Sequence, residues 1–137
     1  MQMTEGEARR RFAAARVLRL ATVGSGGTPH VVPATFAVSA DSVAVAVDHK
    51  PKRHTRLQRL RNIEANPHVA LLVDHYSDDW ARLWWVRADG EARVRTNEEV
   101  VGLVDQLAAK YPQYQRIRPA GPVIEITVRR WSGWQAA

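Results

Sequence analysis

The densest chemistry in this 137-residue chain is the run HKPKRHTRLQRLRN, in which six of the twelve residues at positions 50–61 are lysine or arginine. Lys50, Lys52, Arg53, Arg56 and Arg61 follow a strand-like segment and lead into a helix-like one. That junction suits an anion, because the free amides of a helix start add partial positive charge to ammonium and guanidinium donors. Arg53 and Arg56 lie one turn apart, while Leu57, Leu60 and Ile63 can hold the helix to a core. The same run also reads as an ordinary solvated helix face. Against that, Pro51 and Pro67 bracket it within the fold, so the cations are not on a loose tail.

A second constellation is LATVGSGGTPHVVPATF. A glycine-rich turn followed by Pro29 and His30 brings backbone close to a ligand, and the small residues Ala34 and Thr35 leave room for a flat ring. Read blandly, it is a tight hairpin. A third, DHYSDDWARLWWVR, gathers Tyr76, Trp80, Trp84 and Trp85. Neighbouring strand residues face opposite sides, so Trp84 and Trp85 cannot both point into one core, and one of them meets a ligand or a partner. Trp131 and Trp134 read as a plug for the fold or as part of a ligand wall.

Other chemistry is excluded or weakly signalled. There is no cysteine, which removes disulfides, thiolate metal sites and thiol nucleophiles and suits a cytoplasmic home. The five histidines are scattered without metal-ligand spacing, so no metal site is expected. GxSxG, Walker and GxGxxG patterns are missing. No signal peptide or membrane-length apolar run is visible. Twenty basic against fourteen acidic residues give a net charge of +6, which favours an anionic partner: nucleic acid, an acidic membrane face or a phosphorylated small molecule.

The elements that must position these residues are mostly strands. Thr4 and Glu7 form a capping box for a first helix through Phe12. VLRLATV, HVVPATFAV and VAVAVD read as three consecutive antiparallel strands. A helix begins near Thr55 and ends at Asn66-Pro67. HVALLVDHY reads as a central strand buried on both sides, and Asp89-Gly90 as the turn of a hairpin between RLWWVRA and EARVR. Thr96 and Glu99 cap an amphipathic helix that stops at Pro112, a loop spans residues 113–122, and PVIEITVRRW is the last strand. The expectation is one domain over residues 1–137, mainly β with short helices (α+β): a six- to seven-stranded barrel whose closure hides its strand edges.

The ordered set of motifs RLATVGSGGTPHVVPATF, VDHKPKRHTRLQRLRNIEANPHVALLVDHY and DDWARLWWVRADGEARV resembles the deazaflavin-dependent branch of the pyridoxamine 5'-phosphate oxidase-like split β-barrel proteins, over roughly residues 8–131. The resemblance implies a homodimer with two cofactor sites at the subunit interface, hydride transfer from coenzyme F420, and a small-molecule substrate. It implies that Lys50, Lys52, Arg53 and Arg56, with Arg61 nearby, hold the phosphate and acidic tail, and that Pro29, His30, Val31, Val32, Pro33 and Ala34 border the ring. It implies too that Trp80, Trp84 and Trp85 reach in from the other subunit. FMN is the alternative cofactor, but the FMN-using branch carries an arginine and a lysine where this chain reads VVPATFAV. His30 and Tyr76 are the candidates for any proton delivery. Two weaker alternatives are a cofactor carrier without turnover and a nucleic-acid-binding barrel that stacks bases on the tryptophans.

Overall fold

The computed structural model describes residues 1–47 and 57–137. Seven strands form one antiparallel sheet: β1 (Leu18–Val23), β2 (Pro29–Ala34), β3 (Phe36–Ser39), β4 (Ser42–Ala46), β5 (His68–His75), β6 (Trp84–Arg95) and β7 (Val123–Gln135). Their order across the sheet is β2-β1-β5-β6-β7-β4-β3. The two outermost strands, β2 and β3, are separated in the chain by Thr35 alone. Only a sheet curled back on itself can bring its two edges that close, and the result is a split barrel. Strand number and class therefore agree with the sequence expectation, whereas the three-strand meander does not. HVVPATFAV breaks at Thr35, and its halves pair with different neighbours, β1 and β4.

The barrel interior is filled by residues that alternate along the strands, among them Leu18, Leu20, Phe36, Val43, Val45, Leu71, Val86, Ile124 and Ile126, all fully buried. One end is closed by α1 (Glu5–Ala14). The Thr4 hydroxyl accepts a hydrogen bond from the Glu7 amide at 3.2 Å, which sets the helix start. Ala8 and Phe12 form its buried stripe, and the Phe12 ring meets Phe36 and Trp131 edge-on, each at 5.2 Å. Trp131 is thus a plug, with its indole N–H on Asp41 at 3.0 Å. Trp134 lies half-exposed on the other side of the strand.

Two glycine and proline signals mean something other than their first reading. Asp89-Gly90 makes no hairpin: β6 runs straight through it, and the register with β7 shifts there by a bulge. A Cβ on Gly90 would collide with the Thr127 carbonyl, so the glycine admits the neighbouring backbone rather than a turn. Pro112 ends α3 (Val101–Lys110) but also opens a further helical turn, α4 (Pro112–Arg116), inside the segment expected to be loop. The Glu99 carboxylate accepts from the Thr96 amide at 3.3 Å, as expected of a cap, but it begins a 3-10 turn, Asn97–Val100, ahead of α3. Leu103, Val104, Leu107 and Tyr111 then cover a second, smaller core on the outer face of β3, β4 and β7.

The helix expected from Thr55 is α2 (Gln58–Ala65) among the described residues, and Asn66 ends it as expected. Leu57 is the N-cap, partly exposed, so Leu60 and Ile63 alone form the apolar attachment. β5 is interior to the sheet but is buried on one side only: Val69, Leu71 and Val73 face the core while Leu72 and Asp74 are exposed. No element among the described residues covers its outer side. No helix among them is long and apolar enough to cross a membrane.

Candidate functional site

Where β1 ends, the chain turns through Gly24, Ser25, Gly26 and Gly27 before entering β2. The Gly27 amide donates to the Gly24 carbonyl at 3.1 Å, and Gly27 has φ +80°, a conformation that costs other residues strain. α2 lies against this turn and is pinned by one buried side chain. Asn62 donates from Nδ2 to Thr22 Oγ1 at 3.0 Å, and its Oδ1 accepts from Gln58 Nε2 at 2.7 Å. A Cβ on Gly24 would strike Asn62 Oδ1, so glycine at this position permits the helix to sit so close.

Between the turn and the helix opens a cleft of about 540 Å³, lined by Gly26, Thr28, Pro29, His30, Gln58 and Arg61 among others. Its donor set, Arg61 with Gln58 and Asn62 nearby, suits an anionic ligand. Arg61 donates to Gln58 Oε1 at 2.5 Å, which orients the guanidinium. His30 Nδ1 is buried and has no hydrogen-bond partner among the described residues. The N-cap of α2, Leu57, offers no side-chain acceptor to the first-turn amides.

Of the residues expected at the site, Pro29, His30 and Arg61 meet at this cleft. Lys50, Lys52, Arg53 and Arg56 fall in residues 48–56 and lie outside the described residues. β2 divides the remainder of its six: Val32 and Ala34 pack against the barrel core, while Val31 points outward and is 62% exposed. The tryptophans do not line the cleft of their own chain. Trp84 packs against the core, with His75 stacked at 6.4 Å and the Arg11 guanidinium 5.4 Å from its ring centre. Trp85, on the opposite face, joins Ala21, Val31, Ala70, Leu72 and Tyr76 in a largely apolar outer trough of about 520 Å³. Trp80 stands 76% exposed on a 3-10 turn. The trough is flanked by Arg19, Asp74 and Arg87, none of which the sequence had singled out.

A family model described as "Pyridoxamine 5'-phosphate oxidase" matches residues 4–135, nearly the whole chain. The protein belongs to the pyridoxamine 5'-phosphate oxidase family. No curated protein matches the sequence. Among solved structures, an FAD-binding protein from Mesorhizobium loti is similar, with a TM-score of 0.76 and 20% identity over 97% of this chain and 93% of that one. A conserved hypothetical protein from Mycobacterium tuberculosis has a TM-score of 0.77 and 22% identity, covering 97% and 85% respectively. The FAD-binding protein of Mycobacterium smegmatis gives 0.66 and 16%, covering 98% and 97%. These likenesses establish the fold that this family member shares with them.

This pyridoxamine 5'-phosphate oxidase family chain also carries a polar knot where its barrel closes, at Thr35. Tyr111 Oη accepts from the Phe36 amide at 3.1 Å and donates to the Arg16 carbonyl at 2.8 Å, while the Thr35 and Tyr114 hydroxyls lie 2.6 Å apart. Lys110 Nζ donates to the Ala15 carbonyl at 2.7 Å and lies 3.7 Å from the Phe36 ring centre. Burial, helped by the Arg16 charge, lowers the Lys110 pKa to about 8, and burial raises that of Tyr111. In sequence Tyr111 is one more apolar position at the end of α3, and spacing alone does not show its polar role. The run KYPQY, with two phenols within four residues, was the available signal.

Proposed function

We propose that this protein is an F420-dependent oxidoreductase that transfers hydride between the deazaflavin and a small organic substrate, working in the cytoplasm as a homodimer of single-domain chains. The observation that carries the reading is the α2 cleft, which sets the oriented Arg61 guanidinium and the unpartnered His30 Nδ1 beside a glycine turn. The cations of residues 50–56 join α2 at this same end in sequence, so they extend the positive field toward a phosphate and an acidic tail.

When bound, the cofactor supplies the hydride. The chain supplies the rest. Lys50, Lys52, Arg53, Arg56 and Arg61 would bind the anionic groups, Pro29 and His30 would border the ring, and His30 would be the residue to hydrogen-bond it or pass a proton. Val31 and the outer trough form the subunit face, against which a second copy brings Trp80 and Trp85 toward the ring, while Trp84 stays packed on the core of its own chain. That face fits association: Val31, Leu72, Tyr76 and Trp85 leave an apolar surface that no described element of the chain covers.

A second reading, FAD or FMN in the same cleft, is favoured by the fold likeness to two proteins named as FAD-binding. The β2 sequence PHVVPA, which lacks a basic residue other than His30, favours the deazaflavin instead. Presenting the purified protein with oxidised F420, reduced F420, FMN and FAD side by side decides between them. Tightest binding of F420 is expected, and binding of FMN or FAD alone would transfer the site to the flavin nucleotide reading.

A further inference from the structure

At the end of β1 away from the α2 cleft, a separate trough of about 580 Å³ opens between the end of α1, the start of β1 and the far half of β5. Arg19 near one end of β1 and Gly24 just past the other are about 16 Å apart along an extended chain, so this trough and the α2 cleft are different places. Leu72 and Trp84 give it apolar surface, and Arg11, Arg16 and Arg19 border it. Among the described residues Asp74 is its only lining carboxylate.

The arginines differ in how their charge is balanced. Arg11 is paired with Glu7 at 2.7 Å and held by Gln135 at 3.0 Å, over the face of Trp84. Arg16 is held by neutral groups instead: its Nη2 donates to the Lys110 carbonyl at 3.2 Å, and its guanidinium lies 4.7 Å from the Tyr111 ring centre. Among the described residues no carboxylate forms an ion pair with Arg16 or Arg19. Behind Arg16 stands Lys110, whose proton affinity the Arg16 charge depresses further. Arg16 and Arg19, neither of them in an ion pair, outweigh the single Asp74 carboxylate of the lining and leave a net positive potential beside an apolar wall.

We propose that this trough is a second ligand site, which binds a small carboxylate with an apolar or aromatic body. The carboxylate sits on Arg16 and Arg19, where guanidinium groups can offer paired N–H donors, and the body lies on Leu72 and Trp84. Because Arg16 is already immobilised, little side-chain entropy is lost on binding. The site adjoins the proposed subunit face at Arg19 and Leu72 but takes all these groups from one chain. It does not depend on the identity of the cofactor, so failure of F420 to bind leaves it standing.

Benzoate is a suitable probe and benzamide its neutral counterpart, with binding followed by calorimetry on the full-length protein. Benzoate should bind at least about tenfold more tightly than benzamide, and Arg16→Gln should cost about tenfold or more, as expected for loss of a charge-assisted pair. Arg118→Gln, at a distant surface pair with Asp105, should change nothing. Bound benzoate should also raise the Lys110 pKa in a titration followed by NMR, a readout on the unmodified chain that holds even if Arg16→Gln folds poorly. Absence of benzoate binding, equal affinity for benzamide, or unaltered affinity in a folded Arg16→Gln protein would overturn the proposal.

Discussion

Asn62 on α2 donates a hydrogen bond to Thr22 on β1 across 3.0 Å, and both residues are almost completely buried, at 4% and 1% exposure. This single polar contact fixes the helix that carries Arg61 onto the barrel that carries His30. Replacing Asn62 by alanine removes the donor and strands the Thr22 hydroxyl, at a cost of about 1–3 kcal/mol. Urea unfolding should show that loss, and cofactor affinity should fall with it because the cleft loses one of its walls.

Gly24→Ala attacks the same contact from the opposite side, since its Cβ would meet Asn62 Oδ1. A loss of about 1–3 kcal/mol is expected from forced overpacking. In an Asn62→Ala background the obstruction is gone, so the same substitution should cost clearly less there. Strict additivity in this double-mutant cycle would show that the two positions do not interact.

How much of this was legible beforehand depends on the range of the interactions. Capping by Thr4, the stop at Asn66-Pro67 and the amphipathic stripe of Leu103, Val104 and Leu107 are local, and the sequence displays them directly. The pairing of β3 with β4 on one edge and of β2 with β1 on the other is long-range, and nothing between His30 and Val38 announces that the strand is shared. Gly90 misled because a glycine required by a close backbone neighbour looks the same in sequence as one required by a turn. β5 misled in a related way: Leu72 is as apolar as a core residue, but no described element of the chain covers its side of the sheet. At the site, His30 and Arg61 were visible by type. Asn62 was visible only as a letter of the motif NIEANP, because burial, not composition, makes an asparagine structural.

Lys110 links stability to pH. Its pKa is about 8 in the folded chain against the ordinary 10.5, owing first to burial and then to Arg16. Between those values the unfolded chain holds more protons, so stability should rise as pH increases above 8. Urea midpoints measured at intervals from about pH 7.5 to 9.5 should climb in the wild type and stay flat in Lys110→Met. A wild-type curve that declines across this range would contradict the assignment.

Val31 is 62% exposed in the outer trough, opposite Leu72 and Trp85. Placing a carboxylate there by Val31→Glu should split the proposed homodimer, because an unpaired charge in an apolar seam costs several times more than an exposed one. Light scattering coupled to size exclusion should report a dimer for the wild type and a monomer for the variant. A wild-type monomer would remove the second copy from the account.

The most direct measurement is a fluorescence titration of F420 into the wild type and into a Lys52→Ala, Arg53→Ala double variant, with circular dichroism confirming that the fold persists. Loss of two charge-assisted phosphate or carboxylate contacts should weaken binding by about 2–4 kcal/mol, or roughly thirtyfold to a thousandfold. Equal affinity in the two proteins, or no binding by either, would contradict the claim that these cations hold the coenzyme.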